Sequence, residues 1–265
     1  MTPFYFGESQ KQLYGVYHPP MGASFQNDAV LVCYPMGEEY YRTHRAIAQL
    51  SNKLAEAGCH VLRFDYYATG DSMGDTSEAT IEQWLLDIET ALNELKDLSA
   101  ANRLTIIGLR FGAALAALAS EKLRPHKLVL WDPIINGKQY LDSLKLVQQG
   151  LIDEHAGRIN TPVSALDIKP DEFFGFEFND RLIKHLETIN LLNSTIATNK
   201  AYVTVTEDKQ EFADYKKILT GNGIKTDFNF FENNDGWDDV EALKMMQIPP
   251  VLIQNIVNSV TNGDS

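Results

Sequence analysis

Leu104-Thr105-Ile106-Ile107-Gly108-Leu109-Arg110-Phe111-Gly112-Ala113-Ala114-Leu115 is the stretch that decides how this chain folds. Apolar and β-branched residues run up to Gly108, and an Ala/Leu segment of strong helix propensity starts after Gly112. Two glycines four positions apart bracket the change of period, so a buried strand should turn sharply into a helix around Arg110. The residue at the tip carries a guanidinium that stays protonated at any working pH and cannot act as a nucleophile.

Outward from this turn, strands and helices alternate. Residues 4–7 and 12–18 read as an antiparallel hairpin, followed by a polar connection to Asp28. Ala29-Val30-Leu31-Val32-Cys33-Tyr34 is a continuous apolar run of the kind buried on both faces of a sheet. Pro35-Met36-Gly37-Glu38-Glu39 breaks it. A helix is expected next, with Thr43 as N-cap, Ala46, Ile47, Leu50, Leu54 and Ala57 on one face, and Gly58 as its stop. His60-Val61-Leu62-Arg63-Phe64-Asp65 is the following strand. Ile81, Trp84, Leu85, Ile88, Leu92 and Leu95 then recur at helical spacing, behind Thr80 and Gln83 in capping-box positions.

Beyond the turn helix, Lys127-Leu128-Val129-Leu130-Trp131-Asp132 is one more strand. The alternation breaks over 133–200, which reads as short helices near 138–147 and 180–191 joined by irregular chain at 167–178. Strands resume at 201–206 and 226–231, and a C-terminal helix starts near Pro249. The pattern predicts an α/β fold, a mostly parallel eight-stranded sheet flanked by helices, forming one domain over 1–265 with a helical cap inserted at 133–200.

Composition narrows the function. With 23 basic and 36 acidic residues the net charge is −13, which disfavours nucleic acid and anionic membrane surfaces. No apolar run is long enough to span a membrane, and the N-terminus lacks the pattern of a signal peptide. Cys33 and Cys59 both lie in strand-like runs, so buried reduced thiols in a cytoplasmic protein are expected. No metal or cofactor motif is found, and nothing in the sequence sets an oligomeric state.

The turn has the strand–turn–helix context in which G-x-S-x-G presents a serine, the nucleophile elbow. On that segment, on Gly37-Glu38-Glu39-Tyr40 and on Asp65…Gly70-Asp71-Ser72, the chain resembles the α/β-hydrolase superfamily, in particular its serine-aminopeptidase-like group. The pairing of Gly37–Tyr40 with Gly108–Ala113 looks like hydrolase-like proteins associated with bacterial exosortase and exopolysaccharide systems. The resemblance implies that the loop at Met36 and Gly37 supplies one oxyanion-hole N–H and Phe111 the other. It also implies that Asp132, or Glu207 and Asp208, stands where members carry the triad acid. Ala68 replaces one usual glycine of the loop after Asp65.

Two landmarks depart from the family pattern. Arg110 stands in place of the serine, and the loop after the last strand, Glu232-Asn233-Asn234-Asp235-Gly236-Trp237-Asp238-Asp239, holds no histidine. The imidazole must take the hydroxyl proton while the carboxylate fixes its tautomer, so the loss of both partners removes the mechanism. Ordinary serine-hydrolase activity is therefore expected to be absent.

Several residues invite a second reading. Gly70-Asp71-Ser72-Met73-Gly74 spells G-x-S-x-G, yet Ser72 has neither a strand directly before it nor a helix directly after it, so a structural loop serine is favoured. His44, expected at the start of the first crossover helix, could serve as a base, although a helix-terminal hydrogen-bonding role is the commoner one. Tyr34, Tyr40, Tyr41, Tyr66 and Tyr67 cluster at strand ends as pocket lining or as packing. The acidic run 235–241 lacks the spacing of a calcium loop.

Arg110 itself has two readings. With Phe111, Gly37 and Met36 at a helix N-terminus it would make an anion site. Alternatively it is paired internally, with Asp132, Asp208 or Asp235. Three functions remain open at this point. One is a non-hydrolytic protein binding a small anionic or acyl ligand, or a protein partner, in the former cleft. Another is a divergent esterase, thioesterase or acyltransferase-like enzyme that holds its substrate with Arg110 and recruits His44, Ser72 or a cap residue for proton transfer. The third is an interaction module using the cap surface.

Overall fold

A computed structural model of the chain describes residues 1–21, 28–159, 172–232, 237 and 250–261. Eight strands form one sheet: β1 (Thr2–Phe6), β2 (Leu13–His18), β3 (Asp28–Cys33), β4 (His60–Phe64), β5 (Arg103–Leu109), β6 (Lys127–Trp131), β9 (Lys200–Val205) and β10 (Lys225–Phe230). Two further strands, β7 (Glu172–Phe173) and β8 (Phe176–Glu177), make a separate hairpin. The sheet order is β1-β2-β4-β3-β5-β6-β9-β10. β1 and β2 pair antiparallel, β2 runs antiparallel to β4, and every later pairing is parallel. The expected α/β architecture is present, with its hairpin at one edge.

The crossover helices are α1 (Glu38–Glu56), α2 (Ile81–Ser99), α3 (Phe111–Leu123) and α6 (Gln210–Gly221), with α7 (Pro250–Thr261) closing the chain. Between β6 and β9 lie α4 (Gly137–Ile159) and α5 (Asp180–Thr188). The chain moves outward from β3 to β4, then returns across β3 to β5. That reversal puts a crevice between the carboxyl ends of β3 and β5, where ligands bind in sheets of this kind. Arg110 and the loop after Cys33 both lie there. No helix among the described residues is long and apolar enough to cross a membrane.

The central strands carry no exposed residue between Ala29 and Cys33 or between Thr105 and Leu109, as expected for chain covered on both faces. Cys33 and Cys59 are buried free thiols, and burial pushes the Cys33 thiol up to about 12. Thr80 caps α2 by accepting from Gln83 N at 3.2 Å, but the box is not reciprocal. The Gln83 side chain donates instead to the buried Asp87, at 2.8 Å.

Three boundaries differ from the sequence reading. α1 starts at Glu38 with Gly37 as N-cap, so Thr43 is an interior residue whose hydroxyl donates to Glu39 O at 2.7 Å. Gly37, at φ +60°, makes an abrupt start, and Glu38 and Glu39 in the first turn suit the positive end of the helix dipole. His44 consequently lies in the second turn and not at the helix start. In the 133–200 segment, α4 reaches Ile159 and α5 ends at Thr188. The hairpin β7–β8 occupies part of what reads as irregular chain.

That segment leaves and rejoins the domain at one place. Gly137 N donates to Ile189 O at 2.9 Å and Leu191 N to Ile135 O at 2.8 Å, with Asn136 bridging Asn190. A Cβ on Gly137 would lie 2.0 Å from Leu186 O, so the crossing admits only glycine.

Candidate functional site

Arg110 lies between β5 and α3 at φ 53° and ψ −119°, a conformation costly for any residue with a Cβ, on the order of 1–3 kcal/mol. The surroundings hold it there. Arg110 N donates to Trp131 O at 2.9 Å, and Arg110 O accepts from Ala113 N at 3.0 Å and Ala114 N at 3.2 Å. A Cβ on Gly108 would sit 2.4 Å from Ala113 Cα, and one on Gly112 2.3 Å from Tyr34 O. Backbone packed this closely cannot yield, so the Gly-x-Arg-x-Gly spacing is a steric requirement of the sharp turn.

The guanidinium points into the interior. Arg110 is only 5% exposed, and its Nε donates to Glu39 Oε1 at 3.0 Å in a buried ion pair. Its Cζ lies 4.8 Å from the Trp237 ring centroid and 5.7 Å from that of Tyr140. Glu39, on the first turn of α1, is as buried as its partner. Burial raises its carboxyl above the ordinary range, and the Arg110 charge, with smaller help from Arg42 and Tyr140, pulls it back. Among the described residues none hydrogen-bonds the buried second oxygen, Oε2.

Among the described residues it is Glu39, and not Asp132 or Asp208, that pairs with Arg110. Asp132 remains within electrostatic reach of Arg110, but its oxygens are engaged elsewhere. Asp208 is exposed beyond the end of β9. Asp235 lies outside the described residues, as does the acidic run 235–241 apart from Trp237.

Asp132 follows β6 at φ 42° and is almost fully buried. Its Oδ1 accepts from Thr206 N at 2.6 Å, and its Oδ2 from Thr206 Oγ1 and Trp237 Nε1, both at 2.8 Å. Burial raises its proton affinity, and the Trp237 N–H opposes that most strongly. Trp237 comes from the loop after β10, where the family resembled places its histidine. An indole N–H orients on the acid as an imidazole N–H would, yet indole has no basic nitrogen with which to take a proton. The Arg110 guanidinium and the Trp237 ring rest against each other beside this acid.

The remaining predicted residues are not gathered around Arg110. Ser72 Oγ donates to Asp65 O at 2.6 Å and accepts from Tyr14 N at 2.8 Å, so its hydroxyl joins the Asp65 loop to β2. His44 is exposed at one edge and stacks on Tyr34, with centroids 5.6 Å apart and planes at 11°. Burial of its stacked face, then the Arg63 charge, lower its pKa. Arg63 itself bonds Tyr34 Oη at 2.9 Å and His18 Nε2 at 3.2 Å. Met36, Gly37 and Phe111 do converge on the crevice, with Phe111 as the first residue of α3 and Gly37 as the cap of α1.

Two cavities flank the elbow. One, of about 360 Å³, is lined by Arg110 with Asn136, Gln139, Ser143 and Lys209, and has a polar character. The other, of about 290 Å³, lies over Met36 and Gly37 on the far side. Among the described residues no group of three or more His, Cys, Asp and Glu side chains is placed to hold a metal ion.

Glu39 and Trp237 were legible only as letters. Glu39 belongs to a pair of acids after a glycine, a helix-start signal, but nothing local says that it faces Arg110, 71 positions later in the chain. Trp237 is a lone aromatic in an acidic loop, and only the fold carries it to Asp132.

No family model matches the chain, and no curated protein matches it in sequence. Solved structures do match in fold. Est1E from Butyrivibrio proteoclasticus with ferulic acid bound has a TM-score of 0.64 at 14% identity, covering 97% of this chain and 96% of that one. Proline iminopeptidase from Mycobacterium smegmatis gives 0.62 at 12% identity, covering 98% and 97%. The α/β-hydrolase domain-containing protein 10 from mouse gives 0.57 at 15% identity, covering 98% of each. Identities this low speak for the backbone and not for the chemistry. With its sheet order, its strained turn after β5 and these neighbours, the chain has the α/β-hydrolase fold.

Proposed function

We propose that this chain is a non-hydrolytic protein of the α/β-hydrolase fold that binds a small anionic or acyl ligand through the former active-site cleft. The observation that carries the reading is Trp237 on Asp132: the acid is retained, but the group it orients cannot accept a proton. Arg110 at the nucleophile position excludes an acyl-enzyme for a separate reason, having no nucleophilic form. What supports an anion is the cavity wall, where Arg110 and Lys209 stand beside the amides of Asn136 and Gln139; an anion there would compete with Glu39 for Arg110 and with Glu207 for Lys209, and would also face Glu211. Segment 133–200 acts in this reading as the cap, and Gly37–Tyr40 with Gly108–Ala113 favours kinship with the exosortase-associated proteins. Buried unpaired cysteines suit a reducing compartment.

A divergent esterase, thioesterase or acyltransferase would need Ser72 or His44 near the crevice. Ser72 is occupied at both its donor and acceptor positions, and His44 is stacked on Tyr34. The test is paired. A fluorophosphonate probe should label no serine, and short carboxylates, phosphates and acyl thioesters should be titrated calorimetrically against wild type and Lys209→Ala. A carboxylate or phosphate that binds wild type at least about tenfold more tightly supports the anion site. Labelling at Ser72 would establish the enzyme reading instead.

A further inference from the structure

The second cavity differs in chemistry from the one at Arg110. Tyr40, Tyr41, Trp84, Phe176 and Phe178 give it five aromatic rings, alongside the hydroxyl-bearing Thr69, Ser72 and Thr76. Three of these rings are contiguous at differing inclinations. Tyr40 and Tyr41 are 5.4 Å apart at 86°, and Tyr41 and Phe176 are 5.5 Å apart at 35°. The charged side chains that line it are Asp75 and Glu177, both exposed at the rim, and no Lys, Arg or His is among the described lining residues.

Beneath the floor lies another acid. Tyr40 Oη donates to Asp65 Oδ1 at 2.9 Å, and Asp71 N donates to Asp65 Oδ2 at 2.9 Å. A phenol that donates to a carboxyl group carries more electron density on its ring face, which strengthens its attraction for a cation. Gly70 makes the arrangement possible, because a Cβ there would lie 2.3 Å from Asp65 Oδ2 and 3.0 Å from Tyr40 Oη. Asp75 is held in its ionised form by hydrogen bonds from Ser77 N and Ser77 Oγ.

We propose that this cavity is a binding site for a small organic cation, a quaternary or protonated alkylammonium group held against Tyr40, Tyr41 and Phe176 with Asp75 and Glu177 at the rim. Electron-rich ring faces attract such a cation, its methyl groups pack against the rings, and the Thr69 and Ser72 hydroxyls nearby already donate to Tyr66 O and Asp65 O. A carboxylate or phosphate would meet two acids and no cation here. About 290 Å³ is enough for a ligand of this size. The net charge of −13 also raises the local concentration of cations around the protein. This cavity borders the crevice at Met36 and Gly37 but includes neither Arg110 nor Lys209, so the two readings rest on different charged side chains and either can fail alone.

The experiment uses the full chain and three isosteres titrated calorimetrically: choline, its neutral carbon analogue 3,3-dimethylbutan-1-ol, and the anion 3,3-dimethylbutyrate. Choline should bind at least about tenfold more tightly than the alcohol, and the carboxylate more weakly still. Tyr41 is 65% exposed, so Tyr41→Ala should leave the fold intact while weakening choline about fivefold or more. Asp75→Asn and Glu177→Gln should each weaken choline on their own, whereas Asp214→Asn on distant α6, which likewise removes one acid, should not. Equal binding of choline and the alcohol overturns the proposal. So does a choline affinity that Asp214→Asn lowers as much as the rim substitutions, since that would be general charge attraction.

Discussion

Replacing Arg110 with alanine strips the principal charge partner from Glu39 and leaves a buried carboxylate with only the weaker influence of Arg42 and Tyr140. Breaking one side of a buried pair costs about 3–5 kcal/mol, because the stranded charge keeps its desolvation penalty. Against a total stability of roughly 5–15 kcal/mol, that loss is large, and it corresponds to a drop of roughly 6–20 °C in Tm for a chain of this size. The pH dependence identifies the cause. Burial already raises the folded-state pKa of Glu39 above its unfolded value near about 4.3, and the Arg110 charge limits the rise. An acid raised in this way contributes stability that is complete below the unfolded pKa and lost as pH rises through the folded pKa. In Arg110→Ala the folded value moves higher, so the deficit against wild type should be greatest near pH 8 and shrink toward pH 5. Glu39→Gln on the same background should recover most of it at pH 8. Urea unfolding of wild type, Arg110→Ala and the double variant at both pH values measures all three terms. If Arg110→Ala loses less than about 1 kcal/mol at pH 8, or an equal amount at both pH values with no rescue by Glu39→Gln, the pair is not the buried ion pair inferred here.

Four further outcomes are expected. Arg110→Ser should remain unlabelled by a fluorophosphonate, because Trp237 cannot act as base; Arg110→Ser combined with Trp237→His should gain labelling at position 110, read by mass spectrometry. Ser72→Ala should cost about 1–3 kcal/mol in urea unfolding, as the Tyr14 N–H and Asp65 carbonyl both lose a partner, and a neutral result would show that water replaces the hydroxyl. Gly112→Ala should yield little soluble protein, since its Cβ would lie within 2.4 Å of the Cys33 and Tyr34 carbonyl oxygens; a variant within about 1 kcal/mol of wild type would refute the packing. Burial raises Asp87 to about 6, so its contribution is present below the unfolded value and lost as pH rises through about 6. Carbon-detected NMR titration of the Asp87 carboxyl should give a midpoint near that value, and one near 4 would contradict it.

Much of the fold was legible because its signals are local. The apolar runs at Ala29–Cys33 and Thr105–Leu109, the helical spacing of Ile81 to Leu95 and the glycines at 108 and 112 each dictate structure within a few residues. Their alternation then leaves little choice but a parallel sheet. The start of α1 was missed because Pro35-Met36-Gly37 reads as a breaker, while the acids that begin the helix are as common in loops. The long α4 was cut short for a related reason, its apolar positions giving no clear single face.

By itself the sequence determined that a strand must turn into a helix at Arg110, that no serine stands at that turn and that no histidine follows His185, since each is read from which residues occupy particular positions. Only the tertiary structure decided which groups meet at that turn. Glu39 meets Arg110 across 71 residues, and Trp237 meets Asp132 across 105. Partner choice among buried charges depends on which groups the packed elements bring within about 3 Å after water is excluded, and a linear pattern of acids and aromatics does not carry that distance.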